Sequence, residues 1–434
     1  MRNWKLLLSR VGAGLLVLGA AASSPGQNGP PLTLEAARAQ ARKQHPRITA
    51  AELHALAARQ TGREVRSAYY PTVTFEATAV GNSGANTRIA AGGLNNPLIY
   101  EREADGVKVS QLITDFGRTA HLSAAARARA RAAEENQLAT RAEITLAVDT
   151  AYFSTLRAQA VVAVARQTVA VRQAMLDQVT ELTRQQLRSA LDLSFAQVRF
   201  HEGRLLLAGA ENEWAAARAA LAALLGERAA GEYALVEVPV PAVAHPDAGA
   251  LVAEALRNRP DLAGLRFTGV AAAQTARAEK EMRNPTLTAV GAAGIVPVHA
   301  PELKGDYAAA GLNFSIPLFE GMRLDARAKG AQLEAAAAAA NTREAEDQVV
   351  RDVRVAVLNL DYAGERLELA GQLQATAREA FTLARAKYQA GSSSIVELNQ
   401  AQLAATEADL ELARAKYELL TRQSILQFET GREP

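Results

Sequence analysis

Two ten-residue stretches of this chain echo each other: VSQLITDFGR at residues 109–118 and FSIPLFEGMR at residues 314–323. Each begins with the alternation of polar and apolar residues that is typical of a β-strand, then reaches an acidic residue and a glycine, and ends at an arginine. A helical pattern of more than sixty residues follows each stretch. The repetition indicates that one unit, a strand leading into a very long helix, occurs twice.

The echo belongs to a tandem duplication of nearly the whole chain. Arg118 recurs as Arg323, 205 positions later. Upstream of the strands the offset is 214, since His45 recurs as Arg259, each followed by a proline. The difference of nine residues (214 minus 205) falls between the two strands of the first copy, which therefore has the longer loop.

Each copy contains two short helices, two strands, a long helix and a closing helix. Thr33 and Asp247 are the predicted N-caps of the first helices. The predicted organisation is a signal peptide at 1–22, a first repeat at 23–228, a linker at 229–246 and a second repeat at 247–434. In the first repeat we expect strands at about 71–84 and 105–115 and helices at about 118–186 and 191–225. In the second repeat we expect strands at about 285–298 and 306–319 and helices at about 323–390 and 395–429. At a rise of 1.5 Å per residue, each long helix is roughly 100 Å long, which no globular core could bury.

The N-terminus has the layout of a cleaved secretory signal. Basic residues precede the apolar stretch 11–18, and three alanines follow it at 20–22. A membrane anchor is the alternative, but this stretch is too short to cross about 30 Å of hydrocarbon. We therefore expect an exported protein.

The amino-acid composition argues against several classes of function. Of the 434 residues, 49% are apolar but only 5% are aromatic, and the formal charge is +2, so nothing indicates a nucleic-acid partner. The chain has no cysteine, and its six histidines lack metal-ligand spacing. We expect neither an enzyme nor a cofactor.

The helices carry narrow seams rather than broad apolar faces. Residues recur with seven-residue spacing on the last two helices. The sets are Leu367, Ala370, Leu373, Ala377, Phe381, Ala384 and Tyr388 on the first of these helices, and Leu403, Leu410 and Tyr417, together with Ala413 and Leu420, on the second. By pattern alone, an ordinary antiparallel coiled coil explains these seams.

The strands favour a membrane protein. In residues 72–79 one face reads Thr, Thr, Glu, Thr and the other reads Val, Phe, Ala, Ala, and residues 307–318 alternate in the same way. A half-buried sheet of a soluble protein is the alternative. Runs of about ten residues suit a tilted transmembrane strand, but four strands cannot close a barrel alone and open edges are not tolerated in lipid. Several chains must then share one barrel, and three copies give twelve strands.

Six stretches in a fixed order resemble the TolC-type outer membrane efflux protein family. They are LTLEAARAQARKQHPRI (32–48), AYYPTVTFEA (68–77), VSQLITDFGR (109–118), AYFSTLRAQ (151–159), SIPLFEGMR (315–323) and KYQAGSSSIVELNQAQ (387–402). The resemblance implies a homotrimer with a twelve-stranded β-barrel in outer membrane lipid, continuous with a periplasmic α-helical barrel. It also implies partners, namely a periplasmic membrane-fusion adaptor and an inner-membrane pump of the RND or ABC type.

The echoed stretches are then the joints where barrel strands become tunnel helices. We expect glycine to allow the turn from strand to helix at each joint, which we assign to Asp115, Gly117 and Arg118 in the first copy and to Glu320, Gly321 and Arg323 in the second. Aromatic residues flank the strands as candidate interfacial anchors: Tyr69, Tyr70, Phe116 and Phe319.

The stretch GSSS at 391–394 interrupts the helical pattern and marks the predicted periplasmic tip. Tyr388, Gly391 and Glu397 match the tip motif of the family. Where well-studied members carry an arginine and a second acidic residue, this chain has Ser393 and Gln400. The resemblance implies that the remaining carboxylates, Asp192 and Glu397, ring the aperture, and rings of carboxylates select cations. Alternatively, both are solvated residues in the first turn of a helix.

The function that we expect is passive: an outer membrane duct through which small molecules such as drugs, metals or solvents leave the cell. An outer membrane channel for type I protein secretion is the alternative within the family. A soluble periplasmic coiled-coil scaffold or adaptor is the alternative of a different class.

Overall fold

The computed structural model describes residues 30–81, 87–88, 98–99, 102–228, 231, 233–241, 246–299 and 304–432. The predicted signal peptide lies outside these residues, as does most of the long loop of the first copy. Among the described helices, none combines the length and the apolarity that crossing a bilayer requires.

The described part of the chain contains eight α-helices in two sets of four, and the lengths of the two sets match one to one. Their bounds are Leu34–Gln44 (α1), Pro46–Arg66 (α2), Arg118–Arg184 (α3), Ala190–Leu224 (α4), Ala248–Asn258 (α5), Pro260–Lys280 (α6), Arg323–Gln389 (α7) and Ile395–Glu429 (α8). Each set has helices of 11, 21, 67 and 35 residues. The duplication seen in the sequence is therefore a duplication of structure.

Local chemistry explains where the short helices begin. The Thr33 side chain accepts a hydrogen bond from the Ala36 amide at the start of α1. Asp247 does the same at the start of α5, with the amides of Gly249 and Ala250 as donors. A proline opens α2 and α6, where its missing N–H costs nothing because the first amides of a helix have no intrahelical partner.

Four of the strands form one antiparallel sheet in the order β2-β5-β7-β8. The strand bounds are Pro31–Leu32 (β1), Thr72–Val80 (β2), Thr87–Arg88 (β3), Leu98–Ile99 (β4), Arg102–Thr114 (β5), Ala234–Leu235 (β6), Thr286–Val298 (β7) and Asp306–Ser315 (β8). The central pair, β5 and β7, takes one strand from each copy, so the sheet joins the two repeats.

Three strand bounds differ from the sequence prediction. Strand β2 ends at Val80, four residues before the expected position 84, and residues 82–86 lie outside the described residues. We expected the last strand to run to residue 319, but β8 ends at Ser315. Ser315 lies opposite Thr286, the first residue of β7, so the residues after it have no partner strand, and Pro317 has no N–H to donate. At the other end of the sheet, β5 begins at Arg102, three residues before the expected position 105.

The register of the sheet separates apolar from polar side chains. Val73, Val109, Gly291 and Ala310 form one row across the four strands, and Phe75, Val107, Ala293 and Ala308 form the next. The opposite face carries the strand threonines and an ion pair between Glu76 and Lys108 at 3.6 Å. The two-faced strands predicted from the alternation are confirmed.

Helix α3 is the centre of the helical layer. Near the sheet it packs against α2 and α6, and farther away it packs against α4 and α8, while α7 packs against α6 and α8. Small residues line these contacts. The predicted seam residues Ala370, Ala377 and Ala384 are buried, as are Leu410 and Tyr417, but Leu373 and Leu403 are exposed. Alanine allows close approach of helix backbones, which explains how a chain with few aromatics packs long helices.

The linker between the copies returns to the start of the first copy. Its strand β6 pairs in parallel with β1. The hydroxyl of the buried Tyr152 on α3 lies 2.8 Å from the carbonyl oxygens of both Leu32 and Val236, and burial raises the pKa of Tyr152 to about 12. The next residue, Glu237, accepts a hydrogen bond from the Tyr417 hydroxyl of α8 at 2.6 Å. The linker thus ties both copies together at the middle of the helices.

A buried ion pair joins α1 to α3 in the same part of the molecule. Arg38 of α1 donates to both carboxylate oxygens of Asp149 on α3, at 2.7 and 2.6 Å. Asp149 is fully buried and Arg38 is 7% exposed. Burial by itself would lower the pKa of Arg38, but the hydrogen bonds and the charge of Asp149 outweigh this and raise it.

Candidate functional site at the ends of the helices

The predicted tip consists of two equivalent turns, one between α3 and α4 and one between α7 and α8. Gly391 has φ of +74°, and Ser392 donates its amide to the carbonyl of Lys387 at 3.0 Å, which closes α7. In the first copy Gln186 occupies the equivalent left-handed position with φ of +59°, and Leu187 donates to the Leu182 carbonyl at 2.8 Å. The two turns therefore share one geometry, although only the second has glycine where positive φ favours it.

Asp192 forms a capping box at the start of α4. Its carboxylate accepts from the amide of Ser189 at 3.1 Å and from the Ser189 hydroxyl at 3.0 Å. In return, the Asp192 amide donates to the Ser189 hydroxyl at 3.1 Å. The negative charge also lies at the positive end of the helix dipole, so a helix-capping role for Asp192 is present in the single chain.

Glu397 occupies the same position at the start of α8, with different partners. Its amide donates to the side chain of Ser394 at 3.2 Å, and its carboxylate accepts from the Ser393 hydroxyl at 2.6 Å. Glu397 and the nearby Gln400 are both exposed. The Glu397 carboxylate therefore stays open to solvent while Ser393 orients it.

Tyr388 is the buried anchor of the tip. It is 1% exposed, and the guanidinium of Arg188, from the other turn, stacks 4.3 Å from the centre of its ring. Arg188 also lies 3.3 Å from the Tyr388 carbonyl oxygen, to which it donates. Burial raises the pKa of Tyr388, while the charge of Arg188 opposes the rise and that of Asp192 adds to it. The structure thus gathers Tyr388, Arg188 and Asp192 across the two turns.

Arg188 was not among the residues predicted at the tip. Ser393 stands where the family has an arginine, and Arg188 occupies the equivalent position of the other copy. Arg188 lies 205 positions before Ser393, so the offset between the copies contained the signal. The tip does carry an arginine, supplied by the first turn rather than by the second.

The strand-to-helix joints lie at the other end of α3 and α7. At each joint two consecutive residues have positive φ: Phe116 and Gly117 in the first copy, with φ of +54° and +112°, and Gly321 and Met322 in the second, with +60° and +64°. Glycine stands second in one pair and first in the other. The sequence predicted one such residue per joint and did not anticipate its non-glycine partner.

The acidic residues of the joints act differently in the two copies. Asp115 accepts from the amide of Thr119 at 2.7 Å and from the amide of Gly117 at 3.3 Å, so it caps the start of α3. Glu320 instead forms an ion pair with Arg323. The carboxylate of the first joint therefore accepts hydrogen bonds from backbone amides, whereas that of the second joint forms an ion pair with the arginine of the same joint.

The four aromatic residues predicted as anchors all lie at the level of the joints. Tyr69, Tyr70, Phe116 and Phe319 are 47%, 60%, 55% and 78% exposed. Within the described ranges, no cluster of three or more histidine or acidic side chains could hold a metal ion.

The fold is that of known outer membrane channels. The outer-membrane channel OprN superimposes with a TM-score of 0.81, at 20% identity, over 92% of this chain and 89% of its own. The CmeC outer membrane channel of Campylobacter jejuni gives 0.81, at 16% identity, over 98% of this chain and 93% of its own. At sequence identities this low, the similarity to these structures shows only that the fold is the same.

Comparisons of sequence identify the family of the chain. Outer membrane protein TolC of Salmonella enteritidis is 28% identical over 121 residues, which span 28% of this chain and only about a quarter (25%) of TolC. The profile of the outer membrane efflux protein family matches residues 37–227 and 251–432, leaving out the linker between the copies. The chain therefore belongs to the outer membrane efflux protein family. Membership confirms the family resemblance, the outer membrane location and the absence of an enzymatic role.

Proposed function

We propose that three copies of this chain close one twelve-stranded β-barrel in the outer membrane, continuous with a helical tunnel in the periplasm. The observation that carries the proposal is the pair of open edges, since, among the strands that the structure describes, β2 and β8 each have a partner on one side only. Unpaired backbone groups cost several kcal/mol each in hydrocarbon, so neither edge is stable there alone. Pairing of β2 with β8 of a neighbour satisfies both edges.

The helices support the same assembly. Helix α4 lies at one side of the helical layer and α7 at the other, and both carry large exposed apolar side chains. Leu191 and Leu205 on α4 are 63% and 74% exposed, and Leu358 and Leu373 on α7 are 67% and 53% exposed. Packing of α4 on α7 of the next protomer would bury both rows, which would otherwise face water.

Disulfide crosslinking tests the closure. The chain has no cysteine, so engineered pairs report without background. Thr74→Cys on β2 is combined in turn with Gly311→Cys, Asn313→Cys or Ser315→Cys on β8, all on the polar face, because the register between protomers is not known in advance. We expect at least one pair to give covalent trimers on non-reducing gels. The matched control, Thr74→Cys with Leu312→Cys, places the thiols on opposite faces and should not crosslink. Monomers at every register would refute the shared barrel.

The trimer is a passive duct for small molecules such as drugs, metals or solvents. Membership of an efflux family supports this proposal, and no phosphate-binding motif in the sequence offers an energy source. Energy then comes from an inner-membrane pump of the RND or ABC type, which a periplasmic membrane-fusion adaptor connects to the duct. A strain lacking this gene should become sensitive to at least one class of these compounds, with recovery on complementation. Unchanged sensitivity together with loss of a secreted protein would favour type I secretion instead.

At the tip, Asp192 and Glu397 are proposed to ring the aperture by three-fold symmetry. Substitution to alanine would also remove the helix cap, so the sharper test is Asp192→Asn with Glu397→Gln, which keeps hydrogen-bond acceptors and removes the charges. We expect lower cation preference in planar bilayers, since carboxylate rings attract cations. The control, Glu213→Gln with Glu407→Gln, removes two exposed charges from α4 and α8 away from the turns. Equal selectivity of the two variants would remove the ring from the proposal.

The joints and their aromatic residues complete the proposal. Asp115, Gly117 and Arg118, with Glu320, Gly321 and Arg323, turn the chain from the barrel into the tunnel. Exposed Tyr69, Tyr70, Phe116 and Phe319 then lie at the headgroup level of the membrane, where amphipathic rings are favoured.

A further inference from the structure

A basic cavity lies where the first copy joins its strands to its helices. Arg66 and the two tyrosines Tyr69 and Tyr70 form one wall, and Ser123 and Arg127 from the first turns of α3 form the other. The cavity has a volume of about 450 Å³. It is large enough for a small polar headgroup.

Neither arginine of this cavity is neutralised within the protomer. Among the residues that the structure describes, no carboxylate lies within ion-pair distance of Arg66 or Arg127. The polar contact of Arg127 is with the Ser123 hydroxyl, at 3.5 Å. Two guanidinium groups facing one cavity favour an anionic occupant.

The second copy provides an internal comparison. Its three joint arginines each have a carboxylate partner: Arg283 pairs with Asp325, Arg323 with Glu320, and Arg327 with Glu279. Asp325 corresponds to Ala120 in the first copy, 205 positions earlier, so one of the neutralising acids is absent there. The counterparts of Arg66 and Arg127 are Lys280 and Gln332, so the pair of guanidinium groups at one cavity belongs to the first joint and is not a general property of the duplicated unit.

A hydrogen bond from the apolar face of the sheet reaches Tyr69, which lines the cavity. Gln111 shares the face of Val109 on β5, and its amide donates to the carbonyl of Tyr69 at 3.1 Å. Tyr69 and Tyr70 directly precede β2, and both are exposed. If the sheet spans the membrane as proposed above, the cavity opens at the rim of the lipid-facing surface, on the side of the helices.

We propose that this cavity binds the phosphate of a phospholipid headgroup in the periplasmic leaflet of the outer membrane. Arg66 and Arg127 present the planar N–H forks that match phosphate oxygens. The tyrosine rings lie against the glycerol region, and the acyl chains follow the apolar face of β2 along Val73 and Phe75. The proposal rests on the membrane placement of the sheet but adds a specific lipid site to it.

The test compares two charge-matched variants of the full chain. Arg66→Gln with Arg127→Gln removes the proposed site, and Lys280→Gln with Lys329→Gln removes two exposed charges near the second joint, Lys280 being the counterpart of Arg66. Purified trimers are freed of lipid in dodecyl maltoside and titrated with dioleoylphosphatidylglycerol by native mass spectrometry. We expect roughly thirtyfold weaker binding for the arginine variant, because each basic side chain near an anionic lipid contributes about a factor of five. The lysine variant should bind like the wild type.

Two further probes separate the sources of the anion. Dioleoylglycerol, which lacks the phosphate, should bind weakly and equally to all proteins, and glycerol 3-phosphate, which lacks the acyl chains, should not compete at millimolar concentration. Equal affinity of both variants for the phospholipid would overturn the proposal, and so would binding of glycerol 3-phosphate as tight as that of the lipid. Channel conductance of the same preparations tests the proposed duct separately. A protein that stays monomeric would overturn both proposals, since no barrel would then place the cavity at a headgroup.

Discussion

The buried pair of Arg38 and Asp149 allows a quantitative prediction about what holds α1 against α3 within the first copy. Asp149→Asn keeps the shape of the side chain but removes its charge. Two short hydrogen bonds, at 2.7 and 2.6 Å, lose their ionic character, and a guanidinium that is only 7% exposed is left beside a neutral amide. Removing one partner of a buried ion pair costs about 3–5 kcal/mol.

The remaining contact of Arg38 cannot replace the lost charge. Glu35 accepts from Arg38 at 2.6 Å, but its side chain is 76% exposed. Exposed pairs contribute about 0–1 kcal/mol, so we expect a net loss near the lower limit, about 3 kcal/mol. Replacing both partners, as Arg38→Met with Asp149→Leu, should cost less than Asp149→Asn alone, since no unpaired buried charge then remains.

The same helix supplies a matched control. Glu143 of α3 pairs with Arg47 at 3.0 Å, but the two side chains are 50% and 63% exposed. Glu143→Gln also removes one negative charge from α3, but from an exposed ion pair. It should therefore lower the free energy of unfolding by less than about 1 kcal/mol.

Unfolding of the trimer by urea in detergent measures these differences at one fixed protein concentration, because assembly couples stability to concentration. Trp214 on α4 is the only tryptophan beyond residue 4 and reports by fluorescence. If Asp149→Asn and Glu143→Gln destabilise the protein equally, the buried pair does not act as argued, and the stability of this region must come from apolar packing alone.

Three further predictions concern the turns and the helix starts. Both Gln186 and Gly391 have left-handed backbone conformations, which favour glycine. Gln186→Gly should therefore raise the free energy of unfolding by about 1 kcal/mol, and Gly391→Ala should lower it by about 1–2 kcal/mol. Urea unfolding measures both, and effects of the same sign would contradict this prediction. Tyr388→Phe should leave stability unchanged or slightly higher, because its hydroxyl is buried without a hydrogen-bond partner among the described residues; a clear loss of trimer stability would mean that a neighbouring protomer supplies that partner. His45 caps α2 by accepting the Arg47 amide at 3.2 Å, and burial, aided by the charge of Arg47, lowers its pKa. Its contribution, up to about 1 kcal/mol, is therefore present above the unfolded pKa near 6.5 and lost as the pH falls through the lower folded value. His45→Asn keeps a cap without this titration, so its stability should change less between pH 7 and 5 than that of the wild type.

Much of the fold follows from local patterns that a sequence displays directly. Matching offsets predicted the duplication, and both offsets reappear in the bounds of the eight described helices. Alternation in 72–79 and 307–318 predicted the two-faced sheet, and the register confirms it. Seven-residue spacing correctly predicted that Ala370, Ala377 and Ala384 are buried, because side chains seven apart lie on the same side of a helix. The same spacing was wrong for Leu373 and Leu403, which are exposed in the single chain.

Contacts between residues far apart in the sequence were not accessible in this way. Arg188 meets Tyr388 across 200 positions, and Arg38 meets Asp149 across 111. Neither partner belongs to a periodic pattern with the other, so nothing local predicts that they meet. The linker illustrates the same limit, because the two residues of β6 resemble any apolar pair until β1 lies beside them.

Strand ends and turn geometry also depended on neighbours. Residues 316–319 continue the alternation of β8, but β7 begins opposite Ser315 and leaves them without a partner. The non-glycine left-handed residue of each joint is a phenylalanine or a methionine, types that avoid positive φ on their own. The sequence by itself determined which segments are helices and strands and which of their faces are apolar, since those properties repeat within one or two turns. Only the tertiary structure decided where the segments stop and which distant charges pair, because those outcomes depend on which elements become neighbours after folding.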